Sequence, residues 1–416
     1  MKKLLALLLA GVFLSGCVTD EERQPAFVTG IELPAEETFA PGDEVAVRAE
    51  GFEENDDIML DIRWPLTGKP IQEGYARGIY AVVTGRTASG ISFLAPGGYP
   101  AATVEVLLLR QGRMQSLGKI AVTDGQPPRR ALLYGIVNSP TGSAIERIDP
   151  ATGTAVRIAD LGLEYDLRCV VCGPGQNRIY GLSSTARGSL GVFYDLTMRY
   201  LRDSDPEHYL VAGVIGTSAA YLRCEDDRLY LTSMNRTRTS PVAPPSWQLP
   251  DGLETSMLAD RPFVLGPQGT LLLAADRGDG TFSAVVLCPG VSGCRVQVGE
   301  PVACDGMIPF RLIRSLEAEG QQRDYPVAGY ALSAAAGGQS ELRLFDPAAM
   351  AFDEPFAVLD LPVRSLAVDY DSAAQEIYCL AERAGGGQIE VYDCVEKSWR
   401  TLPGRDYPYA EIVLAR

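Results

Sequence analysis

Ala410-Glu411-Ile412-Val413-Leu414-Ala415 is a short β-favouring run with nothing after it to pair with. Far upstream, the segment from Leu132 carries the later strands of a sheet unit but has no inner strand before it. In a ring of sheet units, a chain can supply three strands of one unit from its start and the fourth from its end. A ladder of backbone hydrogen bonds then closes the circle. The tail is therefore expected to pair beside the strand at Leu132.

The residues between these two points repeat. Leu167 to Gly173 leads to Arg178-Ile-Tyr-Gly-Leu-Ser183, and Ser218 to Cys224 leads to Arg228-Leu-Tyr-Leu-Thr-Ser233. Pro262 to Gly266 leads to Thr270-Leu-Leu-Leu-Ala-Ala275, and Val363 to Asp369 leads to Ile377-Tyr-Cys-Leu-Ala-Glu382. With starts at Leu167, Ser218, Pro262, Met307, Val363 and Ala410, the units stand about 45 to 55 residues apart, close to the period of a propeller blade. Asp149-Pro150-Ala151-Thr152-Gly153 and Phe345-Asp346-Pro347-Ala348 occupy matching places, where Pro presets φ and Gly takes the positive-φ position of a turn. The region resembles the broad β-propeller superfamily. Six blades closed by the C-terminal strand are expected, with seven blades the alternative.

Ahead of the repeats, Phe27 to Thr123 reads as short apolar strands cut by turns. The strands are Gly30 to Leu33, Glu44 to Ala49, Asp57 to Arg63, Ile79 to Thr84, Gly90 to Leu94, Thr103 to Leu109 and Ser116 to Val122. That density of strands and turns implies a small β-sandwich. Pro41-Gly42-Asp43-Glu44-Val45-Ala46-Val47 followed by Gly51-Phe52 resembles the opening of the IPT/TIG family of immunoglobulin-like domains. The resemblance implies a spacer or binding accessory. Asp124 to Arg130, with Pro127 and Pro128, breaks any strand and reads as a linker.

The fold class is thus all-β: an immunoglobulin-like sandwich over 27–124, a linker over 125–130 and a propeller over 131–416. Composition agrees, since 416 residues with 43 Gly and 28 Pro form a turn-rich chain long enough for two domains. Met1-Lys2-Lys3 and the apolar run Leu4 to Leu14 read as an export signal too short to span a bilayer. Leu14-Ser15-Gly16-Cys17 resembles the bacterial lipobox. The resemblance implies cleavage after residue 16 and lipidation of Cys17, so that attachment comes from acyl chains. Residues 17–26 form an acidic tether whose Asp20-Glu21-Glu22 looks like the surface-export tag of Bacteroidetes-type lipoproteins, which implies an outer-membrane or cell-surface location. The net charge of −16 argues against nucleic-acid and anionic-headgroup partners.

Catalytic patterns are absent. The single histidine, His208, has no Gly-x-Ser-x-Gly elbow to serve, and neither phosphate-loop nor dinucleotide-loop spacing occurs. No enzyme activity, cofactor or metal is expected; a glycan-degrading propeller enzyme ranks behind two binding readings. In the first, the propeller binds an external ligand such as an anionic glycan. In the second, it is an assembly scaffold that holds other envelope proteins.

Candidate site residues follow from these readings. Arg168, Arg261, Arg311 and Arg364 stand near the starts of four inner strands, where guanidinium groups would surround one channel mouth and recognise carboxylate or sulfate. The irregular segment Met234 to Asp260 offers Asn235, Arg236 and Trp247, the last for stacking on a sugar face. Export permits disulfides. Cys288 with Cys294 and Cys379 with Cys394 are candidate pairs, and Cys172 with Cys224 would end equivalent strands of neighbouring units. Asp371-Ser372-Ala373 matches the short O-glycosylation acceptor of Bacteroidetes, at Ser372.

Overall fold

The computed structural model describes residues 25–415 except 35–37, 41, 62–78, 82, 96–101, 112, 123–131, 141, 151–152, 163–165, 173–177, 186–187, 197–199, 204–208, 216–217, 226–227, 233–244, 259–260, 267–268, 290–293, 319–320, 335–337, 370–375, 384–385 and 404–405. The chain forms two compact units. The first runs to Thr123 and the second from Asp124, with 40–42 and 96–100 grouped with the second.

The first unit is two sheets. One has the strand order Thr29–Glu32, Glu44–Glu50, Gly90–Leu94, Val83–Thr87, and the other Thr38–Phe39, Arg113–Val122, Ala102–Arg110, Asp57–Asp61, Ile79–Tyr80. In Glu44–Glu50 every second residue is buried, the pattern of a strand with one face in a core. The segment expected as one strand from Ile79 to Thr84 is divided between the two sheets, because the chain crosses from one to the other after Tyr80. Asp56, fully buried, accepts two hydrogen bonds from Arg110, each of 2.7 Å, while Arg110 also reaches Glu53 at 2.8 Å and the Gly51 carbonyl at 2.8 Å. That bidentate bond holds the Arg110 pKa above its ordinary value.

In the second unit the described strands form six sheets. Sheet I holds Glu411–Ala415, Leu132–Ser139, Gly142–Ile148 and Ala155–Gly162. Sheet II holds Leu167–Val171, Arg178–Thr185, Gly188–Asp195 and Tyr200–Asp203. Sheet III holds Tyr209–Ile215, Ser218–Glu225, Arg228–Thr232 and Ser246–Gln248. Sheet IV holds Val264–Leu265, Leu271–Asp276, Thr281–Cys288 and Arg295–Val298, and Val302–Ala303 also pairs with its third strand. Sheet V holds Gly306–Ala318, Gln321–Ser333, Ser340–Asp346 and Ala351–Leu359. Sheet VI holds Val363–Val368, Glu376–Arg383, Gly386–Asp393 and Ser398–Thr401.

The tail pairs where it was expected to. Leu132 faces Ala415 and Ile136 faces Glu411 in an antiparallel ladder. The third unit, by contrast, begins one strand earlier than the repeat suggested: Tyr209–Ile215 is its first strand and Ser218–Glu225 its second. Both are apolar hairpin arms, so the period alone does not distinguish them.

Continuous apolar runs occur here because each sheet is covered on both faces. Leu271, Leu273 and Ala275 pack with Leu222, Leu229 and Trp247 of sheet III, while Leu272 and Ala274 pack with Met307 and Tyr330 of sheet V. Alternation persists, but both destinations are cores. The same division sends Ile377 and Cys379 toward Phe310 of sheet V, and Tyr378 and Leu380 toward Leu133, Tyr409 and Ile412 of sheet I. Tyr134 and Ile136 of sheet I pack with Leu167 and Ile179 of sheet II, and Cys169 and Tyr180 with Tyr209 and Tyr221 of sheet III.

Buried serines join neighbouring sheets. The Val363 N–H donates to Ser340 Oγ at 2.8 Å, and Ser333 Oγ donates to the Val363 carbonyl at 2.9 Å. Leu167 stands in the same relation to sheet I, with Ser143 Oγ accepting its N–H at 3.3 Å and Asn138 Nδ2 donating to its carbonyl at 2.8 Å. Small residues admit aromatic rings at these seams. A Cβ at Gly135 would collide with the Tyr409 ring, and one at Gly213 with the Phe263 ring.

The turns between third and fourth strands repeat as well. Gly153, at φ 72°, closes the turn from Asp149, and its N–H donates to the Asp149 carbonyl at 2.7 Å. At the matching places Met350 and Lys397 adopt φ 54° and 51° after Asp346 and Asp393, whose Oδ1 atoms accept backbone N–H groups. Only the first of the three has the residue that this backbone favours.

Candidate functional site

The first strands of the six sheets lie side by side in the order II, III, IV, V, VI, I, and the tail strand of sheet I also touches the first strand of sheet II. Arg168 is the second residue of its strand, opposite Leu182. Arg364 is also a second residue, at a bulge between Val363, which faces Ala381, and Ser365, which faces Leu380. These two arginines are equivalent, and their strands flank the tail.

The tail is held from both sides by polar bonds. Arg364 Nη2 donates to the Tyr409 carbonyl at 2.6 Å, and the Ile412 N–H donates to Ser365 Oγ at 3.1 Å. On the other side, Cys169 adopts φ 50°, which turns its N–H and that of Val170 toward the Glu411 carboxylate at 2.6 Å each. Arg168 Nη2 reaches Ser189 Oγ at 3.3 Å. Both arginines are half-buried, and Arg364 Nε is buried without a hydrogen-bond partner.

The other two arginines are placed differently. Arg261 precedes the first strand of sheet IV, in a segment tied to sheet III by the Phe263 N–H, which donates to the Ala212 carbonyl at 3.0 Å. Arg311 lies well along its strand, opposite Ala328, whereas the strand begins at Gly306, opposite Ser333. It therefore sits further along its strand than Arg168 and Arg364 do along theirs, and its Nε is likewise buried without a partner among the described residues. The single ring of four at one mouth is not what the register produces.

Trp247 is not a stacking platform. It is 1% exposed, lies in the core between sheets III and IV, and its Nε1 donates to the Cys288 carbonyl at 3.1 Å. Asn235, Arg236, His208, Ser372 and Cys17 fall outside the described residues.

The eight cysteines from Cys169 to Cys394 stand as thiols, so none of the expected disulfides is formed in this structure. Cys172 follows a first strand while Cys224 lies on a second strand, so those two are not equivalent. Cys288 donates to Gln297 Oε1 at 3.3 Å. Burial raises the pKa of the Cys379 thiol and pushes that of Cys304 up to about 11. Among the described residues, no group of three or more His, Cys, Asp or Glu side chains is placed to hold a metal ion.

Comparison with known families matches residues 25–130 to the DUF4784 N-terminal Ig-like domain and residues 133–415 to the DUF4784 WD40-like domain. Among solved structures, a DUF4784 family protein from Bacteroides caccae is 26% identical, with a TM-score of 0.57, over 94% of this chain and 100% of that one. TolB from Acinetobacter baumannii is 11% identical, with a TM-score of 0.46, over 77% of this chain and 81% of that one. No curated protein matches the chain.

Proposed function

Because the chain belongs to the DUF4784 family, with an Ig-like domain followed by a WD40-like domain, we propose that it is a lipid-anchored surface protein whose propeller binds an anionic external ligand at its axis. The propeller has six blades, sheets I to VI, and the tail strand closes the ring. The anchor is Cys17, and Asp20-Glu21-Glu22 directs the protein outward. The ligand class is an acidic glycan, carrying carboxylate or sulfate.

The observation that carries this reading is the pair Arg168 and Arg364. They take the same position on the two first strands that flank the tail, in a chain whose net charge is −16. Two guanidinium groups there oppose the prevailing field and make a local positive site. Each charged hydrogen bond to ligand would contribute about 1.5 to 3 kcal/mol.

A glycan array probed with the labelled protein, followed by calorimetry on the acidic hits, tests the reading. Binding confined to acidic glycans and weakened about tenfold or more by Arg168→Gln is expected. Binding to neutral glycans only, or acidic binding indifferent to Arg168→Gln, would overturn it.

A further inference from the structure

Phe27, near the start of the first unit, lies between two guanidinium groups, with Arg113 4.6 Å and Arg110 5.1 Å from its ring centroid. Gln115 fixes the backbone beside it. Its Oε1 accepts the Phe27 N–H at 2.5 Å and the Val28 N–H at 3.1 Å, while its Nε2 donates to the Val28 carbonyl at 2.9 Å. The chain therefore enters the sandwich at the end of the hairpin made by Ala102–Arg110 and Arg113–Val122, where Gln111 takes φ 49°.

That same end presents an apolar side chain to water. Among the described residues of the first unit, Met114 is the one large apolar residue that stands out, at 61% exposed. Its neighbour Arg113 meets no carboxylate among the described residues and reaches the Pro25 carbonyl at 3.5 Å, whereas Arg110 is occupied by Asp56 and Glu53. Chain length limits what this end can meet. From Cys17 to Pro25 the chain, even fully extended at about 3.5 Å per residue, spans at most about 28 Å. A hairpin end tied that closely to a bilayer meets it as an intramolecular event, so a contact too weak to recruit a free protein is populated once the anchor holds. Charges more than about 10 Å away are largely screened, so the net charge of −16 matters less here than Arg113 itself.

We propose that this hairpin end rests on the bilayer that holds the anchor, with Met114 among the lipid headgroups and Arg113 beside a lipid phosphate. The proposal rests on attachment through Cys17, as proposed for this chain. It adds a second contact, which fixes how the first unit stands on the membrane.

The test is tryptophan fluorescence of the full-length lipidated protein in phosphatidylcholine vesicles, plain or brominated near the headgroup end of the acyl chains. In the Met114→Trp protein, emission above that of the parent is expected to fall about twofold on bromination, whereas in Lys119→Trp, about 17 Å further along the same strand, it stays unchanged. Both positions are exposed, so neither substitution disturbs the core. Flotation of the protein with the vesicles measures attachment separately. Protein that floats yet shows no quenching in Met114→Trp, or equal quenching in the two variants, overturns the hairpin contact and leaves the anchor in place. Protein that does not float overturns the two together.

Discussion

Glu411 and Cys169 are joined by a hydrogen bond of 2.6 Å from the Cys169 N–H to the Glu411 carboxylate, linking the tail strand to the first strand of sheet II. The carboxylate's other oxygen accepts the Val170 N–H. Cys169 takes a left-handed backbone, at φ 50°, that presents both N–H groups to one acid. Replacing Glu411 by Ala should lower stability by about 2 to 3 kcal/mol, since two charge-assisted bonds are lost and two backbone donors are left unmet. Urea unfolding of Glu411→Ala and Glu411→Gln proteins measures it. A loss below about 0.5 kcal/mol in both would mean that the clasp does not hold the seam.

Met350 and Lys397 occupy the positive-φ position that Gly153 fills in sheet I. Glycine at either site should raise stability by about 0.5 to 1 kcal/mol, because the left-handed penalty on a side chain exceeds the extra chain entropy of glycine. Thermal melts of the two single variants check this. Gly153→Ala should move the other way and by more, since its Cβ would collide with the Pro403 carbonyl.

Asp56 is fully buried against Arg110. Asp56→Ala removes two charged hydrogen bonds from a guanidinium that keeps Glu53 and the Gly51 carbonyl, and should cost about 1.5 to 3 kcal/mol. The Asp56→Ala, Arg110→Met double variant should recover part of that loss. Chemical denaturation of the parent, the two single variants and the double variant decides whether the pair is coupled.

Trp247 fills the seam between sheets III and IV. Trp247→Ala should cost about 3 to 5 kcal/mol through the cavity it leaves. Trp247→Phe should cost less and leave the proposed acidic-glycan binding unchanged. An affinity change in the Phe variant, measured by calorimetry, would restore this residue to the binding surface.

The strand content of the second unit was legible because both faces of each sheet are buried, so runs such as Leu271 to Ala275 stay apolar throughout. The tail was legible for a related reason: Ile412 and Val413 are a core pair that needs a sheet. What the sequence concealed depended on register. Nothing in the pattern ranks Tyr209–Ile215 before Ser218–Glu225, since both are apolar arms of one hairpin. Arg311 looks like Arg364 along the chain, and only register sets them apart: Arg311 faces Ala328 well along its strand, while Arg364 sits at a bulge just after Val363, which faces Ala381. The irregular segment around Trp247 left stacking on a sugar and packing at a blade edge equally open, and a three-residue strand turns the ring into the core. Glu411 gave no signal as a clasp, because its partners are backbone groups whose orientation depends on the dihedral angle of Cys169.

The ladder between Leu132–Ile136 and Glu411–Ala415 also orders events in time. During synthesis from the N-terminus, sheets II to VI can assemble as their residues emerge, whereas sheet I waits with a bare edge until Glu411–Ala415 have emerged. Loop closure over so long a span is slow relative to hairpin formation. Newly made chains therefore pass through a state that is folded almost everywhere yet open at one seam. In that state the waiting edge can accept a strand from another copy, so yield on refolding should fall with concentration more steeply than stability would suggest.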